Sequence, residues 1–548
     1  MQPNFLRNIG FLFCFLFAAI WLPAQEGLPE DYLSKDFHKG RREAARALMP
    51  ANSVMVVFAA PTRTFSNDVE YLYHQNPDLY YFTGYKEPHA VLFIFKEPQT
   101  SADGKNYSEL FFIQKRNPQA ESWHGRRLGV EGVRSRLGIN DVYNGEEFRN
   151  FAIDFAKFDK IIFDNFPDDV ARNNDPGHLY RLMASFREKV GIQGEFDPGL
   201  NNFLDAMRTY LTPARLSQMQ DNMKNRIKAN PQQASNPMVV EFLQVKDSMG
   251  IIAFKEKLDK NRFNTSLFRQ ITTSLREIKT PEELDLIRKA VEISCRGQNE
   301  VMKAVRPDMS ELEIQGLHEY IHKRYGSENV GYGSIVGAGE NGCILHYMEN
   351  SKTKIGNDMI LMDVGAEYHG YTADVTRTIP ADGKFSPEER AIYQLVYDAQ
   401  EAAFKTLKDG SKWADASKAA KDVIANGLVK LGIIKNVSEV GKYYTHGLGH
   451  HIGLDVHDKG NYDSLKKDMV ITIEPGIYIP KNSPCDKKWW SISVRIEDDA
   501  LITKDGYELL SHFAPRKIED IEKMIAEKTV LDQYKLPPLK SAEKKKAF

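Results

Sequence analysis

The chain has 548 residues, too many for one ordinary core, so two or three domains are expected. With 42% hydrophobic and 27% charged residues it has the balance of a soluble globular protein, richer in apolar side chains than disordered chains and poorer than membrane proteins. A formal net charge of -2 gives no electrostatic footprint for nucleic acid or a stable membrane partner, and the short basic tail at Lys544–Lys546 reads as a solvated terminus.

The chain opens with Arg7 ahead of an apolar run from Ile9 to Leu22, the length of a signal-peptide core and short for a bilayer span. Residues 1–24 are therefore expected to be a signal peptide ending near Ala24, and the protein to be periplasmic or secreted. Leu22 is large for the position two before the cut, which keeps an uncleaved anchor as an alternative. Cys14 lacks the small residues that precede a lipidated cysteine, so a lipid anchor is a minor alternative. The remaining cysteines, Cys295, Cys343 and Cys485, form no disulfide framework and no Cys-x-x-Cys zinc pattern, and read as buried small hydrophobes.

Residues 32–199 have a mixed α/β pattern, with strand-length apolar runs at Ser53–Ala60, Ala90–Phe95 and Leu110–Ile113. Residues 200–279 turn to helical spacing rich in Lys, Asn and Gln, as in an insertion or connector. An α+β domain is expected over 280–528, followed by a tail over 529–548. Its first helix is announced by Thr280-Pro-Glu-Glu283, an N-cap, a first-turn proline and a capping-box glutamate; similar signals stand at Ser310–Glu313 and Ser386–Glu389. These helices alternate with strand-like runs at Met359–Val364, Tyr371–Ile379, Met469–Ile473 and Ser491–Ile496. No repeat of solenoid length and no low-complexity tract is present.

The chemistry sits in the strands. With Glu367–Gly370 as the turn of a hairpin, Asp363 lies directly opposite Asp374, about 5 Å apart. Asp363 is embedded in Ile360, Leu361, Met362 and Val364, so the pair is expected to be buried, where two carboxylates must share a proton or bind a cation. The bland reading puts one Asp at an exposed turn or against Arg377. A second acidic pair argues against that reading: Glu474 ends the run Met469–Ile473, Glu497 ends Ser491–Ile496, and symmetric pairing centres their hairpin near Cys485. Four converging carboxylates need about two divalent cations to be tolerated in an apolar interior.

Four of the 14 histidines fall in Thr445-His-Gly-Leu-Gly-His-His-Ile-Gly-Leu-Asp-Val-His457. Gly447 and Gly449 disfavour a helix there, and no adjacent Glu completes a His-Glu-x-x-His motif. That density points to at least one ligand or acid/base histidine. Oxygen-rich ligation with one imidazole suits Mn²⁺, with Zn²⁺ or Co²⁺ as alternatives.

His346-Tyr, the Asp363 to Asp374 block with Asp-Val-Thr-Arg-Thr, the glycine–histidine stretch, Thr472-Ile-Glu-Pro-Gly476 and Val494-Arg-Ile-Glu-Asp-Asp499 together resemble the pita-bread metallopeptidases, most closely the aminopeptidase P family. Upstream, Asn67-Asp-Val-Glu-Tyr71, Tyr81-Phe-Thr-Gly-Tyr85 and Glu121-Ser-Trp-His-Gly-Arg-Arg-Leu-Gly129 resemble the N-terminal domain that accompanies that family and prolidase. The resemblance implies a pita-bread catalytic domain behind an α/β domain, and removal of the N-terminal residue that precedes proline. Prolidase, restricted to Xaa-Pro dipeptides, is the nearest alternative; an inactive peptide- or partner-binding module is the alternative of another class.

The resemblance further implies that Asp374 and Glu497 bridge two metals, that Asp363 holds one, and that His450 and Glu474 hold the other. It gives catalytic roles to His346, His457, Glu474 and Arg495, and substrate-binding roles to His446, Tyr478, Asp68 and Trp123, the last two in assembled relatives. His451 is read as packing. A homo-oligomer, dimer or tetramer, is implied as well.

Overall fold

Ser53–Phe58 is a six-residue strand buried along its whole length, which requires a sheet covered on both faces. Alternate residues serve two cores: Met55 and Val57 point into one, while Val54, Val56 and Phe58 point into the other. The computed structural model describes residues 31–101, 104–192 and 197–533. The leader, Cys14 and the basic tail at Lys544–Lys546 lie outside them.

Six strands form the N-terminal sheet, in the order Val142–Asn144, Asn106–Ile113, Val91–Thr100, Ser53–Phe58, Lys160–Phe163 and Phe263–Asn264. The last of these redraws the expected boundaries. After four helices between Pro198 and Lys260, which bury Met207, Met223, Phe242 and Phe254 in a small core of their own, the chain returns to pair Phe263 parallel to Ile161. The insertion therefore ends near 262, and the helix Thr265–Arg276 packs Phe268 and Ile271 into the core shared with Met55 and Leu92.

That shared core also contains Leu284, Ile287 and Val291 from the helix Pro281–Ala304, and Tyr368, Tyr371 and Val375 from the next domain's first hairpin. The three expected helix starts are present. Thr280 and Ser386 each make a complete capping box, with Glu283 and Glu389, and Ser310 accepts the Glu313 amide. Helices Pro281–Ala304 and Pro387–Phe404 lie against the two carboxylate hairpins. From the first, Gln298 Nε2 donates to the Met362 and Val375 carbonyls (3.0 and 2.8 Å); from the second, Gln400 Nε2 donates to the Ile473 and Ile496 carbonyls (2.9 and 3.1 Å).

Two smaller expectations change. Thr529 and Leu531 are buried, with Leu531 in the catalytic core, so the tail begins later than 529. Cys295 is buried as expected, but Cys343 and Cys485 are only half-buried; all three are free thiols. Among the described residues no helix is long and apolar enough to cross a membrane.

Candidate active site

Met359–Val364 pairs with Val375–Pro380 in a register that sets Asp363 opposite Thr376 and Val364 opposite Val375. Direct Asp363–Asp374 opposition is thus corrected by two residues. The turn is shorter than expected: Tyr368 pairs with Tyr371, leaving only His369 and Gly370 in the loop, at φ 52° and 88°. Two positive φ values in a two-residue loop match the right-handed twist of the strands. A two-residue shift preserves the face, so Asp363 and Asp374 remain diagonal neighbours. The Tyr332 hydroxyl stands between them, in contact with an oxygen of each.

The second hairpin has the expected register. Gly476 pairs with Arg495 and Ile473 with Asp498, so the symmetric pairing runs through both ladders and breaks only at Glu474–Pro475 and Ile496–Glu497. These breaks release the two glutamates inward. The hairpins are joined where Thr376 Oγ1 donates to Glu497 Oε2 (2.6 Å), the Glu497 amide donates to the Thr376 carbonyl (3.1 Å), and the Asp374 amide donates to Asp499 Oδ2 (3.1 Å).

The glycine–histidine stretch is a loop lying along the edge of Val470–Ile473. The Thr472 amide donates to the His450 carbonyl (2.8 Å), and the His450 amide to Thr472 Oγ1 (3.0 Å). A Cβ on Gly449 would fall 2.1 Å from the Thr472 carbonyl oxygen, so only glycine permits this approach. His450 Nδ1 is 3.0 Å from the His451 carbonyl; in the neutral ring this fixes the proton on Nδ1 and leaves the Nε2 lone pair facing Asp374 Oδ2 (3.5 Å) and Glu474 Oε1 (3.6 Å). Ligand atoms of Asp374, His450 and Glu497 all lie within 4.8 Å of one another.

The electrostatics call for cations. Burial, then the charges of Asp363 and Asp499, drives Asp374 well above the carboxylate range. Burial, then Asp374 and Glu474, does the same to Glu497. Glu474 is pushed by burial up to about 7 against the pull of His450 and Arg495. Only Asp363 goes down: burial would raise it, but the Arg495 guanidinium on Oδ2 overrides that. One arginine cannot neutralise four buried carboxylates, so the donor set fits divalent metal ions.

Two known families match the chain: residues 285–504 match Metallopeptidase family M24, and residues 38–162 match the aminopeptidase P N-terminal domain. The Xaa-Pro aminopeptidase of Escherichia coli is 32% identical over 508 residues, 90% of this chain and 98% of the relative. The chain belongs to the aminopeptidase P family. The Haemophilus influenzae Xaa-Pro aminopeptidase is 31% identical over 507 residues, with 90% and 98% covered. Among solved structures, Pseudomonas aeruginosa aminopeptidase PepP superposes with a TM-score of 0.69 at 30% identity, over 90% of this chain and 98% of that one. Zinc-substituted E. coli aminopeptidase P in complex with product gives 0.69 at 29% identity, with the same coverage.

In this aminopeptidase P fold all five expected ligands line one cavity of about 470 Å³, together with His346, His446, His457 and Arg495. His346 and His457 are exposed at its mouth. Tyr478 is not part of the cavity lining: its ring is buried behind the wall, and its hydroxyl accepts from Arg495 Nη1 (2.9 Å) and lies 2.8 Å from His446 Nε2, so it positions those two side chains. Asp68 and Trp123 do not line the cavity in this chain either. Asp68 is at the exposed tip of the Thr64–Glu70 hairpin, and Trp123 is 81% exposed on the short helix Pro118–His124. His451 is buried packing, as read.

Sequence reasoning missed Tyr332, Thr376, Gln298 and Gln400. Only Thr376 lay inside a singled-out motif, and nothing local distinguishes a glutamine that braces a distant strand.

Proposed function

We propose that the protein is an Xaa-Pro aminopeptidase, releasing the N-terminal residue that precedes proline from peptides. The observation that carries this is the convergence of Asp363, Asp374, His450, Glu474 and Glu497 on one cavity, in a chain matched almost end to end by relatives named Xaa-Pro aminopeptidase. Asp374 and Glu497 would be shared between two metals, Asp363 would hold one, and His450 with Glu474 the other. Mn²⁺ is the proposed native ion, because four carboxylates with one imidazole suit hard or borderline cations. Bound there, the metals supply Lewis acidity to the scissile carbonyl and acidity to the attacking water.

The remaining work falls to the chain. The Glu474 carboxylate, which lines the cavity beside His450, accepts the proton of the attacking water. The partial desolvation of His457 at the cavity edge, and then the nearby His450, lower its pKa below that of a free imidazole, and it joins His346 at the mouth to donate an N–H toward the developing oxyanion. Arg495 holds Asp363 in place. Ile335, Leu345, Met348 and Val456 give the cavity an apolar wall, which suits the compact proline ring and its missing amide hydrogen.

A second cavity of about 220 Å³ adjoins at Val456 and His457, giving room for a chain longer than a dipeptide; this favours an aminopeptidase over a prolidase. Ala-Pro-Ala-Ala should lose its first alanine in Mn²⁺, Ala-Ala-Ala-Ala far more slowly, and the dipeptide no faster than the tetrapeptide. Mass spectrometry of the products decides it: cleavage confined to the dipeptide makes the enzyme a prolidase, and equal cleavage of both tetrapeptides removes proline specificity.

The proposal extends to location and assembly. Arg7 and the Ile9–Leu22 run support export, so the mature N-terminus should lie near Gln25; an intact Met1 in a cytoplasmic fraction would refute this. Trp123 is exposed, as are Phe65, Tyr71 and Leu72 beside the Asp68 turn, which supports a homo-oligomer in which Asp68 and Trp123 approach a neighbour's cavity. Sedimentation as a monomer at micromolar concentration would count against it.

A further inference from the structure

His457 stands beyond the stretch of the histidine loop that is hydrogen-bonded to Val470–Ile473, which ends at Ile452. The chain on either side of it is nevertheless held by one side chain. Arg276, the last residue of the helix Thr265–Arg276 and 1% exposed, donates from Nη2 to Asp455 Oδ2 (2.7 Å) and also to Asp458 Oδ1, and from Nη1 to Asp78 Oδ1 (2.8 Å). Asp455 and Asp458 flank His457, two residues before it and one after.

The junction is charge-balanced. Lys279 Nζ donates to Asp458 Oδ2 (2.9 Å) and to the Arg276 carbonyl (2.6 Å), and Lys459 Nζ donates to Asp78 Oδ2 (2.6 Å) and Thr272 Oγ1 (2.9 Å). Three carboxylates thus meet three cations. Asp78 belongs to the helix Pro77–Thr83 of the N-terminal domain, so three parts of the chain meet here: that domain, the end of the segment that follows the insertion, and the loop carrying His457. Glu277 continues the contact, accepting from the Asn461 amide (3.1 Å) and side chain (2.7 Å) and from Lys466 (2.6 Å).

A guanidinium is suited to this role because its planar fork engages three carboxylates in fixed directions, which an ammonium cannot do. On its other side the loop is held by the Asp458 amide donating to the His451 carbonyl (2.8 Å), the Gly453 amide donating to the Asp455 carbonyl (3.1 Å) and the Thr372 amide donating to the Gly453 carbonyl (2.8 Å). Small displacements of a group at the reacting atoms are costly to catalysis.

We propose that Arg276 is a positioning residue for His457, fixing the imidazole at the cavity by tying down Asp455 and Asp458, and that Asp78 makes this anchor depend on docking of the N-terminal domain. The proposal rests on the peptidase reading above for its kinetic consequence, but not for the anchor itself.

The test uses the full-length, metal-loaded enzyme with Arg276→Lys, and with Asp455→Ala as the variant that keeps the buried arginine and disturbs folding least. Hydrogen exchange reads the anchor without reference to turnover. In both variants amides 452–462 should exchange faster while those of Met359–Val364 keep their protection; unchanged exchange of the loop overturns the anchor whatever the activity. Kinetics read the coupling to His457. On Ala-Pro-Ala-Ala, kcat should fall by about 10- to 100-fold with KM and metal content kept. In a His457→Ala background the same substitutions should change kcat by less than about twofold, because the residue being positioned is gone. An equal fall in both backgrounds, or a rise in KM alone, overturns the positioning role. Wild-type enzyme that binds metal but cleaves no Xaa-Pro peptide is instead a failure of the peptidase reading, with the exchange result still deciding the anchor.

Discussion

Asp363 pairs with Thr376 across the first hairpin, and Asp374 sits two residues further along on the same face. The two-residue turn at His369–Gly370 sets this offset, and the N-terminal domain holds the turn: Tyr80 donates its hydroxyl to the His369 carbonyl (2.8 Å), and a Cβ on Gly370 would lie 2.9 Å from the Tyr80 ring. Gly370→Val therefore meets both a φ of 88° and that ring. It should cost about 2 kcal/mol or more and lower the melting temperature, with some loss of bound metal. A variant of unchanged stability would show that the turn does not set the register.

Asp374 is the carboxylate that reaches both Tyr332 and the His450–Glu497 group, so Asp374→Asn removes the ligand common to the whole centre. Metal content by elemental analysis and turnover should collapse together, while the N-terminal sheet keeps its hydrogen-exchange protection. Two retained metals with near-normal turnover would sink the ligand assignment.

Without metal, three of the four carboxylates are held above the carboxylate range, Glu474 at about 7 against an ordinary 4.5. A group whose folded pKa is raised contributes stability that is full below its unfolded pKa and is lost as pH rises through the folded one. Metal-free protein should therefore lose stability between about pH 5 and 8, whereas cations that favour the ionised carboxylates should abolish that loss and release protons on binding. Calorimetry of metal-free and reloaded protein over this range, with metal titrations in two buffers of different ionisation heat, checks both statements. Metal-free protein more stable at pH 8 than at pH 5 contradicts them.

Gln400 serves two buried carbonyls next to the second ligand pair, and its Nε2 also donates to Asp498 Oδ2 (2.9 Å). Gln400→Leu keeps the bulk but orphans those acceptors, at about 1–3 kcal/mol for each buried group left unpaired. Chemical denaturation should show a loss of that order, and metal should dissociate faster from the variant. Unchanged stability would mean that water replaces the amide.

Much of the architecture was legible because the chain announces it locally. Thr280, Ser310 and Ser386 cap helices as their spacing requires, and Met359–Val364 reads as a buried strand because it is one. The Glu474–Glu497 register was legible because the strands on both sides of the break keep the same pairing. The Asp363–Asp374 register was not, because four residues and two residues both make an acceptable turn, and contact with Tyr80 from a distant domain selects the shorter one. The sixth strand, Phe263–Asn264, is too short to carry a periodicity. Tyr478 has the composition of a pocket residue, and only the three-dimensional positions of Arg495 and His446 put it behind the wall.

Gln298 and Gln400 give the two hairpins matching supports: each reaches from an outer helix to backbone carbonyls beside a pair of acidic side chains. The strands that carry the acids are therefore braced by the scaffold itself. A chelator should be able to empty the centre and a different ion refill it without the chain having to refold in between, so one polypeptide can serve as the frame for a series of metal-exchanged enzymes whose rates are compared at constant geometry.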